Sequence, residues 1–99
     1  MRGHKLLTKE LAAKLPELYS QDGKGEEAVA VVKFFSLTGW RWYAIEFDGV
    51  DTFFGLVEGF ETELGYFSLQ ELESVTVFGG LPAVERDLHW IPRTLGELR

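Results

Sequence analysis

The 99-residue sequence contains no cysteine, which excludes disulfide bonds, zinc–thiolate sites and cysteine nucleophiles. A chain without disulfides suits a reducing compartment, and we expect the protein to act in the cytoplasm. Basic residues are scarce as well, because ten Lys and Arg stand against sixteen Asp and Glu, a net charge of −6. Non-specific binding to phosphate backbones requires a basic surface, so we do not expect nucleic acid to be a partner.

The sequence also lacks a long apolar run. No segment approaches the roughly 20 apolar residues of a membrane-spanning helix, so we expect no association with a membrane. Apolar residues make up 45% of the chain, enough to bury a core without the help of a metal or disulfide, and we expect no cofactor. We predict a single domain over residues 1–99, with a frayed N-terminus at residues 1–7.

The stretch 26–67 reads as β-strands in succession. Its runs are rich in β-branched and aromatic residues, which fit a pleated and packed surface. These runs cover residues 28–36, 40–47, 52–60 and 64–67. Connections as short as these join adjacent antiparallel strands, and Asp48-Gly49 is typical of a hairpin turn. We predict an α+β fold built on an antiparallel meander sheet of four to five strands.

Both faces of these strands carry mainly apolar side chains, so neither face can be left in water. We expect helices to cover one face, and terminal segments or a second subunit to cover the other. Lys33 and Glu46 are charges within apolar strands, and we predict that they form a structural cross-strand pair. Gly55 and Gly59 share one face of the third strand. They predict close packing against a helix or aromatic ring of the same chain, with a ligand as the alternative.

Helices are predicted on either side of the sheet sequence. Thr8 is a favourable N-cap, and leucines follow it at helical spacing, which predicts an N-terminal helix over about residues 9–14. Ser68 opens a capping box with the glutamate three residues later, which predicts a short helix directly after the fourth strand. The polar, glycine-rich segment 20–25 between the first helix and the sheet is expected to be a mobile loop.

Aromatic residues and an arginine form the first candidate site, a binding surface made by Trp40, Arg41, Trp42 and Tyr43 and joined by Trp90. Aromatic rings beside an arginine anchor protein partners, and they can also stack on bases. The acidic balance of the chain disfavours nucleic acid, so a protein interface is the better functional interpretation. The structural alternative is that at least two of the rings pack in the core.

The second candidate site lies near the C-terminus. If this segment is extended, Glu85, Asp87 and His89 share one face, where they could hold a divalent metal or perform acid–base chemistry. Arg86 would then hold an anion nearby. The structural alternative is a charged edge strand, whose polar face prevents sheets from aggregating. A helical conformation would separate the three side chains and remove the site.

Segments along almost the whole chain match one known family. They include Leu6-Leu7-Thr8-Lys9-Glu10-Leu11, Ala30-Val31-Val32-Lys33-Phe34-Phe35, Phe53-Phe54-Gly55-Leu56-Val57, Glu63-Leu64-Gly65-Tyr66-Phe67-Ser68-Leu69 and Glu85-Arg86-Asp87-Leu88-His89. In these segments the chain resembles the bacterial domain-of-unknown-function family 2958. The resemblance implies a small bacterial protein of the kind often carried on plasmids or other mobile elements. It carries no known activity, and so it assigns no catalytic residues.

The leading functional interpretation is a small, cytoplasmic, bacterial protein-interaction module without enzymatic activity, linked to plasmids or mobile elements. Its partner would be an unidentified protein or a second copy of the chain, bound near Trp40, Trp42 and the segment 85–90. The alternative is a small metal-dependent hydrolase that uses the acidic and histidine face of that segment. An enzyme needs a concave pocket where those side chains converge, whereas a binding module needs an exposed apolar patch.

Overall fold

The structure, a computed structural model, describes residues 4–98. In chain order its strands are β1 (Val29–Ala30), β2 (Val32–Ser36), β3 (Arg41–Phe47), β4 (Thr52–Glu58), β5 (Thr62–Ser68), β6 (Thr76–Val77), β7 (Leu81–Pro82), β8 (Val84–Arg86) and β9 (Arg93–Thr94). Its helices are α1 (Lys9–Lys14), α2 (Leu69–Ser74) and α3 (Leu95–Leu98), and a 3₁₀ turn covers Gly25–Glu27. Residues 1–3, part of the expected frayed terminus, lie outside the described residues.

An antiparallel sheet of five strands, in the order β5-β4-β3-β2-β8, forms the centre of the described fold. The predicted α+β class and antiparallel sheet are confirmed. Strands β2 to β5 follow one another as a meander, whereas β8 comes from the C-terminal part and pairs with β2 at the opposite edge. The first predicted run is divided at Val31, because β1 pairs with β9 while β2 pairs within the main sheet.

The side of the sheet that carries Phe34 is called the first face. The N-terminal segment and α2 cover it, with Leu6 and Leu72 buried in the core. Leu6 is only 1% exposed, so this part of the expected frayed terminus is instead a core residue. Arg86 holds the segment in place, because its Nη1 atom donates hydrogen bonds to the carbonyls of Lys5 (2.6 Å) and Leu6 (3.3 Å).

The opposite side, the second face, carries Tyr43, Ile45 and Leu56. Ala28, which precedes β1, and Leu95 of α3 are buried against it. Segments of the same chain therefore cover the centre of both faces. Of the two predicted covers for the second face, a terminal segment or a second subunit, the structure shows the terminal segment.

The helices of the described chain are short. Thr8 caps α1 by accepting a hydrogen bond from the N–H of Leu11 at 3.1 Å, and Ser68 caps α2 by accepting one from the N–H of Glu71 at 3.2 Å. The longest helices have six residues each, so no helix within residues 4–98 could cross a membrane.

A β-bulge in β3 decides which of its side chains reach each face. The register of β3 against β4 shifts between Ala44 and Glu46, and consequently Ile45 and Glu46 both lie on the second face. Phe47 returns to the first face, where its ring stacks on that of Phe53 with centroids 4.6 Å apart. Strict alternation along the strand would have placed Glu46 on the first face.

The predicted pair of Lys33 and Glu46 does not form. The ladder places Lys33 opposite Tyr43, and its ammonium lies 3.9 Å from the carboxylate of Asp87. Glu46 is 2% exposed and accepts hydrogen bonds, both 2.8 Å long, from two backbone N–H groups of segment 19–21. The prediction was wrong because backbone donors from a distant turn, rather than a cross-strand lysine, satisfy this carboxylate.

Both glycines of the third predicted strand pack closely against the same chain, but the predicted aromatic ring or helix is confirmed only at Gly59. A Cβ atom on Gly59 would collide with the ring of Trp40. A Cβ atom on Gly55 would collide with the backbone carbonyl of Tyr43, in the strand that carries the bulge. An aromatic ring and a neighbouring main chain therefore explain the two positions.

Candidate binding surface

Three aromatic rings, Trp40, Trp42 and Phe60, form a cluster at one end of the first face. The ring of Trp40 lies 6.0 Å from that of Trp42 and 5.3 Å from that of Phe60 between centroids, and the second contact is edge to face. Trp42 is buried, Trp40 is half-buried and Phe60 is 94% exposed. The aromatic cluster therefore extends without a break from the core to solvent.

The chain around Trp40 fixes the position of its ring. The N–H of Ser36 donates to the carbonyl of Trp40 at 2.9 Å, and the N–H of Trp40 donates to the hydroxyl of Ser36 at 3.2 Å. Between them, Gly39 has a φ of 95°, a conformation that favours glycine. The Trp40 ring then lies against Gly59, which has no side chain to displace it. The turn and this glycine together orient the ring.

A shallow groove of about 220 Å³ borders the aromatic cluster. It is lined by Ser36, Thr38, Trp40, Trp42 and Val75. Val75 directly follows α2, so the groove lies between the end of that helix and the turn that joins β2 to β3. Its volume lies below the roughly 300–1,000 Å³ of typical ligand pockets and suits a single apolar side chain.

Two exposed apolar residues lie near the groove: Val75 lines it, and Leu37 stands in the chain between its lining residues Ser36 and Thr38. The N–H of Leu37 donates to the carbonyl of Ala83 at 3.2 Å, and the N–H of Ala83 donates to the carbonyl of Val75 at 3.0 Å. Ala83 therefore joins the two exposed residues through the main chain. We call Trp40, Trp42, Phe60 and Val75 together the aromatic surface.

Carboxylates border the aromatic surface. Glu61 directly follows Phe60, and Glu63 lies opposite Val57, which packs on the first face. Both glutamates are exposed. The wider region has the same sign of charge, because residues 42–85 include nine Asp and Glu but no Lys or Arg. The rim of the aromatic surface is therefore acidic.

Arg41 lies on the second face, away from the tryptophans next to it in sequence. Its guanidinium is 3.5 Å from the carboxylate of Glu58, which also accepts a hydrogen bond from the Tyr43 hydroxyl at 3.1 Å. Burial, followed by this hydrogen bond and the negative charge of Glu58, raises the pKa of Tyr43 to about 12. Arg41 therefore has a partner within the chain.

Trp90 also lies on the second face, on the opposite side of the sheet from the aromatic cluster. Its Nε1 atom donates a hydrogen bond to the carbonyl of Ala30 at 3.1 Å, and its ring centroid is 5.5 Å from that of Tyr43. Cationic groups of Lys33 and Arg93 lie 5.7 and 5.6 Å from the centroid of the ring. The structure therefore anchors Trp90 and does not bring it together with the aromatic cluster.

The candidate metal or acid–base site at Glu85, Asp87 and His89 lies on a segment that is a β-strand only as far as Arg86. β8 ends at Arg86, and in the turn that follows the carboxylate of Asp87 accepts a hydrogen bond from the backbone N–H of His89 at 2.9 Å. Glu85 lies on the strand, while Asp87 interacts with Lys33. No group of three His, Asp and Glu side chains within residues 4–98 is arranged to hold a metal. The guanidinium of Arg86 binds main-chain carbonyls of the N-terminal segment.

An open cleft of about 350 Å³ lies beside this turn. It is lined by Lys33, Phe35, Ser36, Gly39, Trp40, Arg41 and Asp87. Its two cations interact with carboxylates of the same chain, Lys33 with Asp87 and Arg41 with Glu58. These charged groups are therefore matched within the fold, and they do not converge on one point as catalytic groups would.

The fold and this surface define a small α+β domain with a covered antiparallel sheet and an exposed aromatic surface with an acidic rim. A family model described as a protein of unknown function (DUF2958) matches residues 6–95, and the chain belongs to this family. The resemblance found in the sequence is thereby confirmed. No curated protein and no solved structure matches the chain.

Sequence reasoning missed Phe60 and Val75 as members of the surface. The available signal for Phe60 was its position in a turn, between Gly59 and Glu61, where an apolar residue has no core to enter. Val75 carried no such signal, since it follows α2 and alternates with polar residues as a buried strand residue would.

Proposed function

We propose that this chain is a non-enzymatic domain that binds a basic, partly apolar segment of a protein partner on the aromatic surface. The observation that carries the proposal is Phe60, which is 94% exposed although its ring is held edge-on against Trp40. A large ring that is already oriented loses little conformational freedom when a partner covers it. Aromatic anchors of this kind supply much of the binding energy in protein interfaces.

The charge around the surface supports a basic partner. Glu61 and Glu63, both exposed, border it. Residues 42–85 contain nine acidic residues but no Lys or Arg, although Glu46 is buried and Glu58 is paired with Arg41. An acidic rim attracts lysines and arginines, increases the rate of encounter and rejects acidic competitors. The affinity should therefore fall as salt concentration rises.

The groove beside the rings supports an apolar anchor within that basic segment. Its volume of about 220 Å³ suits one leucine or phenylalanine side chain, which would lie between Trp40 and Val75. Burying such a side chain contributes about 2 kcal/mol. A segment that combines an apolar residue with flanking basic residues would satisfy both the groove and its rim.

The proposal includes a bacterial, cytoplasmic setting and a link to plasmids or other mobile elements. The absence of cysteine and the kinship with the family support this setting. The metal-dependent hydrolase has less support, because Glu85 lies on β8 whereas Asp87 and His89 are tied together in the following turn.

Titration with short peptides tests the proposal. A peptide with one leucine flanked by lysines should shift the amide resonances of residues 36–42, 59–61 and 75, whereas its glutamate-flanked counterpart should not. Phe60→Ser should weaken binding by about tenfold or more. Val50→Ser is the matched control, because Val50 is another apolar turn residue, 82% exposed, outside the surface. Equal binding of the two peptides, or unchanged binding by Phe60→Ser, would contradict the proposal.

A further inference from the structure

The outer edge of β5 forms the end of the main sheet. β5 has seven residues, Thr62–Ser68, and pairs with β4 on its inner side. It contains no proline and no lysine, the residues with which edge strands commonly block further pairing. Its single charged residue is Glu63. The strand therefore lacks most of the usual protection against pairing with another strand.

The pairing with β4 shows which main-chain groups of β5 are free. Two hydrogen bonds of this hairpin, from Gly59 N–H to Glu61 carbonyl (3.0 Å) and from Leu69 N–H to Asp51 carbonyl (2.8 Å), identify hydrogen-bonded residue pairs. Such pairs alternate along an antiparallel ladder, so the odd-numbered residues of β5 bond to β4. The N–H and carbonyl groups of the even-numbered residues Thr62, Leu64 and Tyr66 point away from the sheet. The N–H of Ser68 does so as well, whereas its carbonyl accepts the first hydrogen bond of α2, because Ser68 is the N-cap of that helix.

We infer that this edge is a homodimer interface, in which β5 pairs antiparallel with β5 of a second copy around a two-fold axis at Gly65. Gly65 is the midpoint of the strand, so this register overlaps all seven residues. The outward-pointing N–H and carbonyl groups of Leu64 then meet those of Tyr66 in the second copy, and the N–H of Ser68 meets the carbonyl of Thr62. The five-stranded sheets of the two copies would then form one continuous β-sheet across the interface.

The side chains of β5 fit this register. On the second face, Leu64 and Tyr66 are both partly exposed. In the dimer, Leu64 of each copy would lie beside Tyr66 of the other copy. Tyr66 already contacts Phe54 at 5.0 Å between centroids, so the pairing would form a continuous apolar row across the junction. Such a row adds side-chain burial to the backbone hydrogen bonds of strand pairing.

Charge also disfavours the alternative register that is centred on Glu63. A two-fold axis at Glu63 would place two glutamates directly opposite each other, which is destabilising. With the axis at Gly65, the two copies of Glu63 are about 14 Å apart along the strands. At the axis itself the two Gly65 residues form a non-hydrogen-bonded pair, with Cα atoms about 4.5 Å apart.

Single-cysteine variants test the register, because the natural sequence has no cysteine. A Cβ atom on Gly65 meets nothing within 4 Å, so Gly65→Cys leaves the folded monomer undisturbed. Its Cα separation in the proposed dimer lies within the range that a disulfide bridges. Gly65→Cys should therefore form a covalent dimer under mild oxidation, whereas the control Glu63→Cys should not. Faster cross-linking of Glu63→Cys, or no cross-linking by Gly65→Cys, would overturn the inference.

Sedimentation equilibrium of the natural chain provides a second, independent readout. We expect a dimer at micromolar concentration, and Leu64→Lys should raise its dissociation constant by about tenfold or more. Ile91→Lys is the matched control, since it adds the same charge at an exposed apolar residue away from β5. A monomer at every concentration, or equal weakening by both variants, would contradict the assigned edge. Unaltered circular dichroism would establish that each variant is folded.

Discussion

Gln21 and Glu46 bind the turn after α1 to the sheet through both main chain and side chain. The backbone N–H of Gln21 donates to the Glu46 carboxylate at 2.8 Å. The Gln21 side-chain amide donates to the carbonyls of Ile45 (3.0 Å) and Val29 (3.1 Å), and it accepts from the N–H of Val29 at 2.9 Å. This amide therefore occupies the gap between β1 and β3 as a strand residue would. The segment 20–25, expected to be a mobile loop, is anchored at its start.

Replacement of Gln21 should destabilise the protein strongly. Gln21→Ala removes three hydrogen bonds, one to the buried carbonyl of Ile45 and two to partly buried main-chain groups of Val29, which should lower the free energy of unfolding by about 3 kcal/mol. Asp22→Ala, at the exposed neighbouring residue, should change it by less than about 0.5 kcal/mol. Chemical denaturation of the two variants measures the difference. Equal stabilities would show that the amide does not connect the strands.

Glu46→Gln tests the carboxylate itself. The two oxygens of Glu46 each accept a backbone N–H, so an amide at this position turns its NH₂ group toward one of these donors. We expect a loss of about 1–3 kcal/mol in the free energy of unfolding. The double variant with Gln21→Ala should lose less than the sum of the single variants, by more than about 0.5 kcal/mol, because both act on the same turn. Strict additivity in the denaturation data would contradict this coupling.

A series of glycine substitutions tests the packing beneath the aromatic cluster. Gly59→Ala should displace the Trp40 ring, lower stability by about 1–3 kcal/mol and change tryptophan fluorescence. Gly55→Ala should be more severe, because its Cβ atom meets the main chain of Tyr43, which cannot rotate away. Gly65→Ala is the matched strand control and should be neutral or stabilising, since the space around it is open. Any other order of thermal stabilities would contradict the packing described here.

The phenol of Tyr43 should make stability fall at high pH. Its pKa is raised from 10.0 in the unfolded chain to about 12 in the fold, so the folded protein retains a proton that the unfolded chain loses. The stabilisation is complete below pH 10 and is lost as the pH rises through about 12. Tyr43→Phe should reduce this dependence, which denaturation between pH 8 and pH 12 would reveal. The dependence that remains belongs to Tyr66, because a hydrogen bond with Tyr19 raises the pKa of Tyr66 as well. Tyr19→Phe should lower this remaining part, and an unchanged slope in Tyr43→Phe would contradict the role of Tyr43.

The sequence predicted the parts of the fold that depend on local chemistry. Short turns such as Asp48-Gly49 specified antiparallel neighbours, and the caps Thr8 and Ser68 specified two helix starts. It did not predict that β8 would return to pair with β2, because no local pattern records which strand edge a distant segment will meet. The bulge at Ile45 and Glu46 was also invisible, since its residues alternate normally until the partner strand is known.

The candidate residues illustrate the same limit. Alternation correctly separated Trp40 and Trp42 from Arg41, but it could not show that Trp90 would cross to the opposite face. Phe60 was not predicted to be exposed, because the sequence pattern placed it at the end of the strand run 52–60, whereas the strand ends at Glu58. Its importance depends on Gly59 and the Trp40 ring beneath, a contact between residues about twenty positions apart.

Site-specific photocrosslinking tests the central claim most directly, namely that the aromatic surface binds a basic segment of a protein partner. A photoreactive phenylalanine analogue at position 60 retains a ring there, and the same analogue at Val50 is the matched control because both positions are exposed turn residues. In cells of the source organism, position 60 should give a discrete adduct that position 50 does not. Its cross-linked peptide should contain an apolar residue flanked by Lys or Arg. An absence of adducts at position 60, identical adducts at both positions, or an acidic cross-linked segment would contradict the account.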